Sequence, residues 1–109
     1  MKVNRQNQGT AAVFQVEGQV DMHTSPDLRT QLRSALQEKA TPIVVDLTEV
    51  AFIDSSGLAT LIEALQATNK YGGRLRLCGL SAPVQNLFRL SNLTSIFDIR
   101  AKREDALGK

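Results

Sequence analysis

Hydrophobic positions along this chain change their spacing at one place, between Ile43 and Leu65. Ile43-Val44-Val45-Asp46-Leu47 is a short apolar run with the β-branched content of a buried strand. Val50, Phe52 and Ile53 follow as a second apolar touch, and the chain then breaks at Asp54-Ser55-Ser56-Gly57. Past the break, Leu58, Leu61, Ile62 and Leu65 recur at i, i+3, i+4 and i+7, one face of a helix. Asp54, Ser55 and Ser56 are each good N-cap residues, so the helix is expected to begin here. Two hydroxyls and a carboxylate therefore stand at a helix start just past a strand.

The same patterning organises the rest of the chain. Val3 to Gln6 reads as a weak strand, and Asn7-Gln8-Gly9 as a turn leading into a better strand, Ala11 to Val16. A hairpin is the economical joining of the two. Glu17-Gly18 ends that strand, and Gln19 to His23 leads to Thr24. Thr24 is the expected cap of a helix with Pro26 in its first turn and Leu28, Leu32, Ala35 and Leu36 on its buried face. Thr41-Pro42 closes it.

Tyr71-Gly72-Gly73 is a stop signal for the central helix, and Arg74 to Cys78 alternates as a strand. Ser81 is expected to cap a third helix whose apolar face is Val84, Leu87, Phe88 and Leu90. Ile96 to Ile99 is expected to form a last strand, and Arg103 to Leu107 a final helical turn or a frayed end. Strands alternating with helices after an initial hairpin argue for an α/β fold with parallel β-α-β units. Sites in such sheets lie beyond the carboxyl ends of the strands, where Asp54 to Gly57 falls.

Composition narrows the classes of partner. Thirteen Lys and Arg against eleven Asp and Glu leave a net charge of +2. With no basic stripe carrying interleaved aromatics, direct nucleic-acid binding is not expected. No apolar stretch reaches membrane-spanning length, and Met1 to Arg5 leads into no signal-like segment. The one cysteine, Cys78, has no internal disulfide partner, and a reducing cytoplasm is the natural setting. At 109 residues the chain is expected to be one domain, residues 1–109, able to bury its core without metals or disulfides.

Ser55 has two readings. It is a helix cap, or it is a phosphorylation site: a phosphate at a helix N-terminus meets unpaired N–H groups and adds nearly two negative charges to the surface. Asp21 is either a solvated acid that helps start the first helix, or part of a recognition patch shared with Ser55 if the two strand ends lie side by side. Asp21, His23 and Ser55 supply the residue types of a hydrolase triad, but Asp-Ser-Ser-Gly is not a nucleophile elbow. One His with one Cys makes no metal site. Gly72-Gly73 follows a helix and precedes a strand, the wrong order for a phosphate-binding loop.

The run from Val44-Val45-Asp46-Leu47 through Phe52-Ile53-Asp54-Ser55-Ser56-Gly57-Leu58 resembles the STAS domain, and specifically the bacterial anti-sigma factor antagonists. Gly18-Gln19-Val20-Asp21 with Thr24-Ser25-Pro26 is similar to that family's first strand-to-helix junction. Gly72-Gly73-Arg74-Leu75 and Val84-Gln85-Asn86-Leu87-Phe88 resemble its later strand and helix. The resemblance implies a small mixed sheet with an N-terminal hairpin and helices packed largely on one face. It implies a non-enzymatic regulator that needs no cofactor.

In that reading the unphosphorylated form binds an anti-sigma factor that is itself a serine kinase, and so frees a sigma factor. Phosphorylation of Ser55 switches the binding off, and a PP2C-type phosphatase restores it. Asp21, Thr24, Asp54, Ser55, Ser56, Gly57 and Leu58 would form the partner-binding surface. Only position in the motif favours Ser55 over Ser56. The competing reading keeps the domain as a structural STAS subunit, docked constitutively in a lipid transporter or a stress-signalling complex.

Overall fold

The structure is a computed structural model describing residues 1–108. A hairpin of β1 (Lys2–Gln8) and β2 (Ala11–Val20) opens the chain. Then come α1 (Ser25–Gln37), β3 (Ile43–Ile53), α2 (Ser55–Lys70), β4 (Leu75–Cys78), α3 (Ala82–Leu90), β5 (Asp98–Arg100) and α4 (Arg103–Leu107). The five strands lie in the order β1-β2-β3-β4-β5, antiparallel between β1 and β2 and parallel thereafter.

This order decides where the helices go. Each crossover from β2 to β5 moves one strand in the same direction, and right-handed crossovers of constant direction put every connecting helix on one face. Phe14, Val16, Val45, Leu47 and Leu77 of that face pack with Leu28 and Leu32 of α1, Leu58 and Leu61 of α2, and Val84 and Phe88 of α3. Alternation sends Val13, Val44 and Cys78 to the opposite face, where Ala106 and Leu107 of α4 cover them. The last turn is therefore docked. Arg103 pairs with Asp46 at 3.0 Å, and the Arg76 guanidinium donates to the Ala106 and Gly108 carbonyls at 2.8 Å each.

Several elements differ from the sequence expectations. β3 is one strand of 11 residues, because its pairing with β2 slips twice. Gln15 faces Asp46, Glu17 faces Glu49 and Gln19 faces Phe52, so β3 carries an extra residue at each step. The two bulges turn the strand's burial period from two to three, and Leu47, Val50 and Ile53 all face the core. The same pairing carries β2 past Gly18 to Val20, opposite Ile53. Leu90 is 73% exposed, off the buried face of α3. Ile96 and Phe97 belong to the turn before β5, which starts at Asp98.

Candidate functional site at the β3–α2 junction

β2 and β3 end side by side, and the Asp54 amide donates to the Val20 carbonyl at 3.0 Å. Asp21 and Asp54 are thus the first residues beyond two neighbouring parallel strands. Asp54 is the N-cap of α2. Its Oδ1 accepts from the amides of Ser56 at 2.9 Å and Gly57 at 3.1 Å, and from the Ser56 hydroxyl at 2.6 Å. Its Oδ2 accepts from the Met22 amide at 3.1 Å, which ties the β2–α1 loop to the start of α2. The Ser56 hydroxyl, followed by these amides, holds the Asp54 carboxyl below the usual carboxylate range against the opposing effect of desolvation.

Asp21 organises its own loop. Its Oδ1 accepts from the amides of His23 at 2.9 Å and Thr24 at 3.1 Å, an Asx-type turn. Thr24 occupies the N-cap position of α1, yet its hydroxyl turns away from the helix. It accepts from the Asp21 amide at 2.9 Å and donates to the Gln19 carbonyl at 3.0 Å. Ser81 likewise spends its hydroxyl on the Val50 carbonyl at 3.2 Å instead of on α3. In each case the hydroxyl donates to a strand carbonyl instead of accepting from an amide of its own helix.

The two serines of the motif have different surroundings. Ser56 is half-buried: its hydroxyl donates to Asp54 and lies 3.3 Å from the hydroxyl of the buried Ser25 at the start of α1. Ser55 is exposed at the first helical position, and its hydroxyl has no protein partner among the described residues. Gly57 is buried where α2 crosses the strand ends; a Cβ there would lie 2.7 Å from Ile53 Cγ2 and 3.1 Å from the Val20 carbonyl. Leu58 is 8% exposed and packs in the core. Gly57 and Leu58 thus hold the junction in place, while Ser55 faces solvent with the half-buried Asp21, Thr24, Asp54 and Ser56 around it.

Two participants escaped the sequence reading. Met22 is 69% exposed beside the junction and anchored by its amide, and Ser25 links the starts of α1 and α2. Neither has a periodic signal, because both follow from the pairing of β2 with β3. The triad is not assembled: Asp21 engages the backbone of His23, and the His23 ring has no bond to Ser55 among the described residues. No helix among the described residues is long and apolar enough to cross a membrane.

Comparison with known proteins agrees with this architecture. The STAS domain model matches residues 2–106. The anti-sigma-B factor antagonist of Bacillus subtilis (strain 168) is 33% identical over 100 residues, spanning 92% of this chain and 90% of that protein. The anti-sigma F factor antagonist of Paenibacillus polymyxa is 29% identical over 108 residues, spanning 98% and 92%. An anti-sigma factor antagonist from Mycobacterium paratuberculosis superposes with a TM-score of 0.88 at 24% identity, covering 97% of this chain and 90% of that one. The antagonist SpoIIAA in its phosphorylated form superposes at 0.76 with 22% identity, covering 97% and 96%. With its sheet order, its three connecting helices on one face and this match over nearly its whole length, the chain belongs to the STAS domain family.

Proposed function

We propose that this protein is an anti-sigma factor antagonist acting in the cytoplasm as a phospho-switch, with Ser55 the modified residue. The observation that carries the proposal is the contrast between two adjacent hydroxyls. Ser56 is tied to Asp54 and Ser25, whereas the Ser55 hydroxyl is exposed and has no partner among the described residues. A kinase reaches the second without breaking the first. The relatives named as anti-sigma-B and anti-sigma F antagonists support the partner class, an anti-sigma factor; in this proposal it is also the serine kinase that modifies Ser55. A PP2C-type phosphatase would reset the switch.

The hydrogen bonds also refine how a phosphate would act. Asp54 already occupies the Ser56 and Gly57 amides, so a phosphate on Ser55 stays toward solvent instead of displacing the cap. It adds nearly two negative charges beside Asp54 and Asp21. A complementary partner surface then meets like-charge repulsion on an unchanged scaffold. Asp21, Thr24, Asp54 and Ser56 form the rest of the contact, and Gly57 and Leu58 set its position.

The test is paired affinity capture from host lysate with the wild type and Ser55→Asp. Retention of a serine kinase of the anti-sigma class by the wild type alone, at equal thermal midpoints, supports the switch. Recovery of one large assembly by both baits replaces it with the structural-subunit reading.

A further inference from the structure

A cleft of about 600 Å³ lies between α3 and β5, at the carboxyl ends of β4 and β5. Its size falls within the range of small-molecule sites, roughly 300–1,000 Å³. Leu80 and Ile99 supply apolar walls, with the fully buried Phe88 behind them. Gln85, Arg89, Thr94 and Arg100 supply the polar groups, and no carboxylate lines the cleft among the described residues.

The two arginines are not equivalent. Arg100 is neutralised by Asp98, with bonds of 2.6 and 3.1 Å to its two carboxylate oxygens. Arg89 donates only to the neutral Asn86 Oδ1 and joins no ion pair among the described residues. It also borders a shallower hollow over the first turn of α3, so its charge stands where two depressions meet. The other apolar groove against α3, about 220 Å³ between Phe52 and Leu90, has no charged residue in its lining.

We infer that the α3–β5 cleft binds a small amphipathic anion, with a carboxylate or phosphate head at Arg89 and an apolar body against Leu80 and Ile99. The charge imbalance is what selects this class: an apolar ligand fits either groove, whereas an anion has a counter-charge in one alone. The site is separate from the Ser55 junction and does not depend on the phospho-switch.

The test is amide chemical-shift titration of the intact protein with octanoate, octyl phosphate and octanol. Saturable shifts of Gly79, Leu80, Thr94 and Ala101 with one of the anions support the site and identify the preferred head. Arg89→Gln should then weaken binding about tenfold, the loss expected for a charge-assisted hydrogen bond. Ala101→Trp, at an exposed position on the rim, should block it without lowering the thermal midpoint. Three results each overturn the inference: no saturable shift in the cleft, octanol binding as tightly as both anions, or unchanged affinity in Arg89→Gln.

Discussion

Replacing Gly57 by Ala separates a helix-propensity effect from a packing effect, and the two have opposite signs. In a helix free of neighbours the change would stabilise by up to about 1 kcal/mol. Here the added methyl would lie 2.7 Å from Ile53 Cγ2, 2.8 Å from Val20 Cγ1 and 3.1 Å from the Val20 carbonyl oxygen. Both side chains are β-branched and fully buried, so neither swings aside. The carbonyl is fixed as well, since it accepts the Asp54 amide. Overpacking of this kind costs about 1–3 kcal/mol, which outweighs the propensity gain. The expected net loss, up to about 2 kcal/mol, corresponds to a thermal midpoint lowered by as much as roughly 8 °C for a chain of this size.

Calorimetry of Gly57→Ala beside Ala59→Gly checks this. The second variant, at an exposed position of the same helix, measures the propensity effect alone. Faster exchange of the Asp54 amide in Gly57→Ala would locate the disturbance at the strand ends. A midpoint for Gly57→Ala at or above that of the wild type refutes the reasoning.

Three further outcomes are expected. Burial alone would raise the Asp46 pKa, but the hydroxyl and amide of Thr48 together with Arg103 bring it below the ordinary value. Its contribution to stability is therefore present above the unfolded carboxylate pKa of about 4 and lost as pH falls through the lower folded value. Acid denaturation should show the stability gap between the wild type and Asp46→Asn narrowing below that pH; a constant gap contradicts the assignment. Burial, reinforced by Asp46, pushes the Cys78 thiol up to about 12, so native protein at pH 8 should resist alkylation. Ala106→Gln, whose longer side chain has no room against Val13 and Val44 and so loosens α4 with the Arg103 charge left in place, should speed the labelling; equal rates would mean α4 does not guard the thiol. Ser56→Ala removes the leading cause of the low Asp54 pKa, and carboxylate titration by NMR should find that pKa moved upward, with no movement counting against the cap geometry.

Periodicity located the elements whose burial is local. The face of α2 is legible because Leu58 and Leu61 sit in the core at helical spacing. β3 was legible only as two fragments, since bulges are a property of its pairing with β2 and leave no mark on the apolar content of either strand. Leu90 fits an apolar stripe by spacing, yet it stays largely exposed at the end of α3, on the rim of a groove beside β3. At the site, Asp54, Ser55 and Ser56 were visible as capping residues, but which of them caps was not. That choice follows from Met22 and Ser25, which arrive through the β2–α1 connection. The docking of α4 rests on an arginine and a carboxylate 57 residues apart, Arg103 and Asp46, a separation no local pattern encodes.

The sequential strand order has a consequence for how the chain is made. Every strand pairs with the one before it, so a chain emerging from its N-terminus can add each β-α unit to an existing edge as it appears. The helix-covered face is completed along the way. The opposite face is not: Val13, Val44 and Cys78 wait for Ala106 and Leu107. Until α4 is synthesised, one side of the nascent sheet stays bare, and its free thiol and apolar strip are open to whatever meets them first.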